Sequence, residues 1–143
     1  MKWAYFYNME QLSVITISFN NLKELQQTCD SVDYQTLHPF EHCIIDGSSN
    51  NEISEWLSNT DQPVYRKWIC ERDKGISDAF NKGIKLAAGS IIHLLNSADI
   101  YYSNSVIETV ANYFIQNAQT QWISGNIYMK RGGIWVHLGV PFD

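Results

Sequence analysis

The chain has 143 residues, a formal net charge of −5 and a hydrophobic fraction of 45%. Because domains typically hold roughly 100–200 residues, we expect residues 1–143 to form one domain. The apolar content excludes a disordered chain, and the acidic balance excludes a general nucleic-acid binder, since such binders carry basic faces.

Strand and helix patterns alternate from residue 12 onward. Leu12 to Ser18 is a nearly continuous β-branched run, which is typical of a strand covered on both faces. The next apolar residues recur at the spacing of one helix face: Leu22, Leu25, Cys29 and Val32. Asn20 or Asn21 could cap this helix. Further strands are predicted at 40–45, 64–70 and 90–95, and further helices at 52–57, 76–87 and 106–114.

Two last strands are predicted at 121–128 and 134–138, around a hairpin turn at Arg131, Gly132 and Gly133. Strands that alternate with helices predict an α/β sandwich around a mostly parallel, twisted sheet.

The cysteines and the N-terminus bear on cellular location. Cys29, Cys43 and Cys70 are odd in number, form no CxxC pair and have apolar neighbours, so we expect buried thiols in a reducing cytoplasm. Residues 1–7 contain one lysine and a short aromatic run that Asn8 interrupts, and this run is too short for the apolar region of a signal peptide, about 7–15 residues. No apolar run approaches the roughly 18 residues of a transmembrane span.

Polar side chains follow the predicted strands at their carboxyl ends. Residues 18–20 follow the first strand, and Asp46, Asp73 and Asp99 follow the next three. Parallel sheets bind ligands at this edge. An aspartate in such a loop is more often a turn residue, but three of them without matching cations indicate a metal or a hydroxyl-rich ligand.

A nucleotide would need side-chain recognition here. The first loop has no GxGxxG, and no phosphate-binding GxxxxGK[ST] occurs in the chain. The carboxylate of Asp46 suits ribose hydroxyls or a base N–H. Asp99 could coordinate Mg²⁺ or Mn²⁺, which proteins often hold through one or two carboxylates and substrate phosphates.

Four segments resemble the family 2 glycosyltransferases of the GT-A fold, which transfer a sugar from a nucleotide diphosphate donor. In family order they are residues 12–20, 43–49, 71–83 and 95–102, and the resemblance continues to 125–128. The third segment, ERDKGISDAFNKG, is the most specific. The resemblance implies a GT-A three-layer sandwich and a glycosyltransferase activity.

The resemblance also implies roles for individual residues. Those that would contact the nucleoside are Ser18, Phe19, Asn20, Asp46, Asp73 and Gly75. Asp99 would bind the divalent metal, Mn²⁺ or Mg²⁺. The implied partners are a nucleotide sugar, with UDP-sugar the first donor to test, and a glycan or lipid-linked acceptor in cell-surface polysaccharide synthesis. The implied location is the cytoplasm, including the inner membrane face.

The chain departs from the family pattern in ways that define an alternative. Ala98 replaces one of two adjacent acids, and Asn126 stands where an aspartate often follows glycine. After Tyr128 only His137 and Asp143 could act as a base, and neither matches a motif, so no catalytic base is assigned. We expect the acceptor part to be largely absent. The alternative is therefore a truncated or degenerate non-catalytic module that binds a nucleotide or a partner protein.

Several other residues have structural interpretations. We expect Asp78 and Lys82 to form a surface ion pair and His93 to be a hydrogen-bonded core histidine. The aromatic segment 3–7 is expected to cover a sheet edge or bind a partner. Exposed aromatic side chains near the C-terminus would favour a homo-oligomer; they are Trp122, Trp135 and Phe142.

Overall fold

The structure, a computed structural model, describes residues 11–138, and in it strands and helices alternate as the sequence predicts. In chain order the elements are β1 (Leu12–Ser18), α1 (Leu22–Asp33), β2 (Glu41–Asp46), α2 (Glu52–Asn59), β3 (Arg66–Cys70), α3 (Ile76–Leu86), β4 (Ile91–Leu94), α4 (Val106–Gln116), β5 (Ile127–Arg131) and β6 (Ile134–Leu138). The first four strands form one parallel sheet in the order β3-β2-β1-β4, and β5 and β6 form a separate antiparallel pair.

Helices cover both faces of the parallel sheet, which confirms the predicted α/β sandwich. On one face Val14 packs in a buried cluster with Val32 of α1 and Ile107 of α4. On the other face α3 lies against β1 and β2, where Gly83 meets Ile15. Successive residues of β1, such as Val14 and Ile15, therefore pack against helices on opposite faces of the sheet, as the two-residue period of a strand requires.

The approach of α3 to the sheet is unusually close at Gly83. A Cβ atom at this position would lie 2.3 Å from Ile15 Cγ2 and 3.3 Å from Ile45 Cγ1. Only a residue without a side chain allows this spacing. The packing fixes α3, and with it the loop at the start of α3, relative to the strand ends.

A buried carboxylate holds the other end of α3. Glu41 accepts hydrogen bonds from Ser13 Oγ at 2.6 Å and from the backbone N–H of Ala88, and it pairs with Lys67. Lys67 Nζ also donates to the carbonyl of Leu86 at 2.8 Å. Burial raises the pKa of Glu41, but the hydrogen bonds from Lys67, Ser13 and Ala88 lower it below its usual value.

A buried histidine lies between the sheet and α1. His42 Nδ1 accepts from Arg66 Nε at 3.3 Å, so Nε2 carries the hydrogen that faces Thr16 Oγ1 at 2.9 Å. Arg66 in turn pairs with Asp33 at 2.6 Å. Burial, together with the charge of Arg66, lowers the pKa of His42 to about 3. His42 is therefore neutral in the folded protein.

The predicted boundaries are wrong at two strands. β3 begins at Arg66, because Val64 is exposed in the turn before it. β5 spans Ile127–Arg131 instead of 121–128. Its position is set by pairing with β6 across Gly132 and Gly133, whose φ angles of 56° and 85° confirm the predicted hairpin turn.

The prediction of three buried thiols is correct for Cys29 and Cys43 and wrong for Cys70. Cys70 is exposed because β3 is an edge strand that pairs only with β2 among the described residues. Burial raises the pKa of Cys29 to about 12 and that of Cys43 to about 11, so both are thiols near neutral pH.

The remaining structural predictions concern an ion pair, a histidine and several aromatic residues. Lys82 and Asp78 form the expected pair at 3.7 Å, and His93 Nδ1 bonds the hydroxyl of Tyr101 at 2.8 Å. Trp122 and Trp135 are exposed as expected. Phe142 and the aromatic segment 3–7 lie outside the described residues. Between residues 11 and 138, no helix has the length and apolarity to cross a membrane.

Candidate functional site

The predicted site residues follow strands whose carboxyl ends share one edge of the sheet. Ser18 and Asp46 are register partners at the ends of β1 and β2, and Asp46 is also the register partner of Cys70 in β3. Asp99 follows β4, which pairs with the opposite side of β1. Asp46 thus ends an inner strand, and the other loops lie on both sides of it.

The loops after β1 and β2 are joined by hydrogen bonds. The backbone N–H of Asn20 donates to Ser48 Oγ at 2.8 Å, and Ser48 Oγ donates to the carboxylate of Asp46. The side-chain oxygen of Asn20 accepts the backbone N–H of Ser49 at 3.0 Å. Asn20 has a φ of 53°, a conformation that asparagine tolerates better than most residues. These bonds join the two loops into one continuous surface.

Asn21 shapes the first loop instead of capping α1. It occupies the N-cap position, but its side chain makes no cap hydrogen bond, contrary to the sequence prediction. Its oxygen accepts from Ser18 Oγ at 2.7 Å and from the N–H of Phe19 at 3.2 Å. Ser18 is buried by this arrangement, while Phe19 is 61% exposed. Phe19 therefore presents an aromatic ring at the strand-end edge.

Asp73 packs directly on Gly47, the residue after Asp46. A Cβ atom on Gly47 would lie 2.0 Å from Asp73 Oδ2, so only glycine leaves room for this carboxylate. Asp73 Oδ1 accepts the N–H of Gly75 at 2.9 Å. Gly75 has a φ of 116°, which requires glycine at that position. The sequence brings the loops after β2 and β3 together in this way.

The first turns of α3 hold the loop that carries Asp73. Lys82 Nζ donates to the carbonyl of Arg72 at 2.7 Å and pairs with Glu71 at 3.0 Å. Asp78 accepts the N–H of Lys74 at 2.9 Å, and this bond lowers the pKa of Asp78. The predicted surface ion pair therefore also orders the loop. The side chains of Arg72 and Lys74 are exposed.

The turn after β4 presents Asp99 to solvent. Asn96 Nδ2 donates to Asp99 Oδ2 at 3.2 Å. Ala98 has a φ of 81°, an unfavourable conformation for a residue with a Cβ atom. Thr28 of α1 accepts the N–H of Ala98 at 3.0 Å and donates to the carbonyl of Asp99 at 2.9 Å.

The comparison of the sequence with protein families decides the identity. A family model described as Glycosyl transferase family 2 matches residues 13–136, a range that includes every loop described above. The chain belongs to glycosyltransferase family 2. The match confirms the resemblance to family 2 glycosyltransferases that the four sequence segments indicate.

Relatives of this glycosyltransferase chain are longer than the chain itself. An uncharacterized glycosyltransferase of Mycobacterium tuberculosis is 41% identical over 97 residues, which are 67% of this chain and 37% of the relative. A PGL/p-HBAD biosynthesis glycosyltransferase of Mycobacterium bovis is 28% identical over 121 residues, 82% of this chain and 47% of the relative. The chain thus spans less than half the length of these relatives.

Solved glycosyltransferases share the fold at low identity. The mannosyltransferase PcManGT from Pyrobaculum calidifontis, in complex with GDP-Man and Mn²⁺, has a TM-score of 0.64 and 18% identity, over 78% of this chain and 33% of that chain. S. aureus TarS 1-349, in complex with UDP-GlcNAc, has a TM-score of 0.63 and 17% identity, over 76% of this chain and 32% of that chain. The described sheet and helices therefore have the GT-A fold.

The donor atoms at Asp99 suit a divalent cation only in part. Carboxylate and amide oxygens are ligands that Mg²⁺ and Mn²⁺ accept. Ser97 Oγ, beside this turn, is buried without a hydrogen-bond partner in the described part of the chain. Across residues 11–138, however, no group of three His, Cys, Asp or Glu side chains could hold a metal alone. The residues fit an ion held by one carboxylate together with substrate phosphates.

Two contributors to the site were missed by sequence reasoning. Gly47 has no predicted role in the sequence analysis, although the close approach of Asp73 depends on it. Thr28 was overlooked because it lies between Leu25 and Cys29, whose apolar spacing dominates the pattern of α1. A polar residue inside an apolar helix face was the sequence feature that could have identified Thr28.

Proposed function

We propose that this family 2 chain forms the donor site of a glycosyltransferase that uses a UDP-sugar. The observation that carries the proposal is the convergence of the Asp46, Asp73 and Asp99 loops at one edge of a parallel sheet. Asp73 packs on Gly47 and so joins two of these loops, and all three loops follow strands of the same parallel sheet. TarS, solved in complex with UDP and with UDP-GlcNAc, supports a UDP-sugar, whereas PcManGT, solved in complex with GDP-Man, has the same fold with a guanosine nucleotide, so the test below includes GDP.

In this proposal the loops after β1, β2 and β3 hold the nucleoside. Phe19 offers an exposed ring on which a base can stack. Asp46 and Asp73 are hydrogen-bond acceptors suited to ribose hydroxyls or a base N–H. The backbone around Ser18 and Asn20 is already fixed by hydrogen bonds, so little ordering would be needed when the nucleotide binds.

The diphosphate and metal belong at the turn after β4. Asp99, oriented by Asn96, would hold Mn²⁺ or Mg²⁺ together with the phosphates. Such an ion, when bound, neutralises the negative charge that develops on the leaving diphosphate. Arg72 and Lys74 are exposed cations at the same edge of the sheet and could add to this neutralisation.

The acceptor and the setting are proposed on family grounds. We propose a single donor-binding domain that acts on a glycan or lipid-linked acceptor of a cell-surface polysaccharide, in the cytoplasm at the inner membrane face. The relative named a PGL/p-HBAD biosynthesis glycosyltransferase supports a role in biosynthesis. No described residue is assigned as the catalytic base.

Calorimetry tests the donor site. UDP, a UDP-sugar and GDP are titrated into the 143-residue chain, each with and without Mn²⁺. We expect UDP to bind with Mn²⁺ and to bind more tightly than GDP. Asp99→Asn should abolish the gain that Mn²⁺ gives. Asp61→Asn is the matched control, because Asp61 is exposed and precedes β3, at the opposite edge of the sheet. No UDP binding at millimolar ligand would overturn the proposal.

A non-catalytic nucleotide-binding or partner-binding module is the second candidate. It is favoured by Ala98, which removes one carboxylate at the metal position. Incubation of the chain with a UDP-sugar tests this candidate, because UDP is released only when the sugar is transferred to an acceptor or to water. Release of UDP above a no-protein control contradicts the non-catalytic candidate.

A further inference from the structure

One polar side of α1 contacts the irregular segment between β4 and α4. Thr28 and Ser31 are three residues apart in α1 and therefore lie on the same side of the helix. Thr28 bonds the backbone of Ala98 and Asp99, and Ser31 Oγ accepts the N–H of Tyr101 at 2.7 Å. α1 thus fixes this segment through side-chain to backbone bonds instead of a sheet or helix ladder.

On this polar side of α1, Thr28 is the residue that contacts the turn containing Ala98 and Asp99. Its hydroxyl is fully buried and lies between two consecutive residues of the turn. It accepts the N–H of Ala98 at 3.0 Å and is 2.9 Å from the carbonyl of Asp99. The carbonyl of Glu24, 3.2 Å away, is the alternative acceptor for the single hydroxyl hydrogen. The Thr28 hydroxyl therefore contacts the backbone on both sides of the Ala98–Asp99 peptide group. We call this pair of contacts the Thr28 clamp.

The clamp explains how an unfavourable backbone persists. Ala98 has a φ of 81°, and a residue with a Cβ atom holds such a conformation only when surrounding contacts impose it. The contact on the N–H of Ala98 comes from Thr28. The direction of the next side chain, Asp99, follows from this backbone conformation.

We propose that Thr28 is a positioning residue for the donor site: its buried hydroxyl sets the Ala98 conformation and so aims the Asp99 carboxylate at the diphosphate and its cation. The inference rests on the proposed function of Asp99. Thr28 touches neither substrate nor metal in this scheme, so its effect is on nucleotide affinity in the presence of Mn²⁺.

The test compares Thr28→Val, which keeps the shape without the hydroxyl, with Thr28→Ser, which keeps the hydroxyl. Ser31→Ala is the matched control. It removes a hydroxyl on the same side of α1, but this hydroxyl bonds the N–H of Tyr101, which follows Asp99 in the chain. We expect Thr28→Val to weaken UDP binding in Mn²⁺ about tenfold, from the loss of one buried hydrogen bond, and to leave metal-free binding unchanged. Thr28→Ser and Ser31→Ala should bind like the unaltered chain.

Amide hydrogen exchange gives a second readout that needs no ligand. In the unaltered chain the amide of Ala98 should exchange slowly although the turn is exposed, and Thr28→Val should speed its exchange about tenfold. Rapid exchange in the unaltered chain overturns the inference, even if no variant folds. Unchanged Mn²⁺-dependent UDP affinity in folded Thr28→Val also overturns it. Absence of UDP binding by the unaltered chain instead overturns the proposed function, and exchange still tests the clamp.

Discussion

The carboxylate of Asp73 rests on the α-carbon of Gly47, so closely that a Cβ atom there would lie 2.0 Å from Asp73 Oδ2. This contact joins the loop after β3 to the loop after β2, next to Asp46. Gly47 does not have a positive φ. Glycine is therefore needed for space and not for backbone conformation, and alanine at this position would act on Asp73 specifically.

Gly47→Ala should weaken nucleotide binding by displacing Asp73. The side chain of Asp73 must rotate away from the added methyl group and would lose its bond to the N–H of Gly75. The displaced carboxylate would also lose its proposed hydrogen bond to the nucleotide. Loss of a hydrogen bond to a charged group costs about 1.5–3 kcal/mol, so UDP affinity should fall roughly ten- to a hundredfold. Calorimetry in Mn²⁺ measures the change.

A double-mutant cycle shows whether the effect passes through Asp73. Asp73→Ala removes the atoms that the new methyl group would meet, so Gly47→Ala should have little further effect in that background. Additive losses in affinity would mean that Gly47→Ala acts through another contact.

Ala98→Asp should strengthen metal-dependent nucleotide binding. Aspartate tolerates a positive φ better than alanine does, so the turn with its φ of 81° can accept the change. A second carboxylate beside Asp99 would contribute about 1.5–3 kcal/mol, which is ten- to a hundredfold in UDP affinity with Mn²⁺. Calorimetry with and without Mn²⁺ measures this gain.

Ala98→Asn is the matched control for the charge. Asparagine also tolerates the conformation but carries no negative charge. The gain should therefore be much smaller than with aspartate. An equal gain in both variants would assign the effect to relief of backbone strain and not to metal binding.

The sequence predicted most of the fold because its strands and helices have distinct periodicities. Local periodicity alone predicted the strand from Leu12 to Ser18 and the helix that contains Leu25 and Cys29. The end of a strand such as β5 did need it, because pairing with β6 sets its residues. The alternation of strands and helices also predicted that Asp46 and Asp99 lie at the carboxyl ends of parallel strands, and the structure has them at the end of β2 and in the turn after β4.

What the sequence could not supply was contact between segments distant in the chain. Nothing in the local pattern shows that Gly47 accommodates Asp73 or that Thr28 reaches Ala98, 70 residues away. Such contacts depend on the relative placement of loops and helices, which only the packed structure defines. The sequence also does not predict the left-handed conformation of Ala98, because alanine rarely adopts a positive φ.

Gly83→Ala should destabilise the fold. Alanine is the better helix former by about 1 kcal/mol. Its methyl group, however, would lie 2.3 Å from Ile15 Cγ2, inside the layer between α3 and the sheet. Overpacking of this kind costs about 1–3 kcal/mol, and a branched strand residue such as Ile15 cannot rotate away freely. Denaturant unfolding measures the loss.

Gly125→Ala is the control for this change. A Cβ atom at Gly125 would meet no heavy atom within 4 Å, and the residue does not have a positive φ. The free energy of unfolding should therefore stay within about 0.5 kcal/mol of the unaltered chain. An unchanged stability of Gly83→Ala would show that α3 can move away from β1.

His42 should make the protein less stable in mild acid. Its pKa is about 3 in the folded chain, because burial and the charge of Arg66 disfavour the imidazolium. In the unfolded chain a histidine titrates near pH 6.5, so below that pH the unfolded state binds the extra proton. The stability due to neutral His42 is present above about pH 6.5 and is lost as the pH falls toward 3, by about 2–3 kcal/mol at pH 4.5.

His42→Gln isolates this contribution. Glutamine offers a donor and an acceptor for Thr16 and Arg66 but does not titrate. Denaturant unfolding between pH 6.5 and 4.5 should show a shallower loss of stability in the variant, whatever its stability at neutral pH. His93, whose pKa burial also lowers, contributes in both proteins and leaves a residual slope. Equal slopes in the two proteins would show that His42 becomes protonated without unfolding.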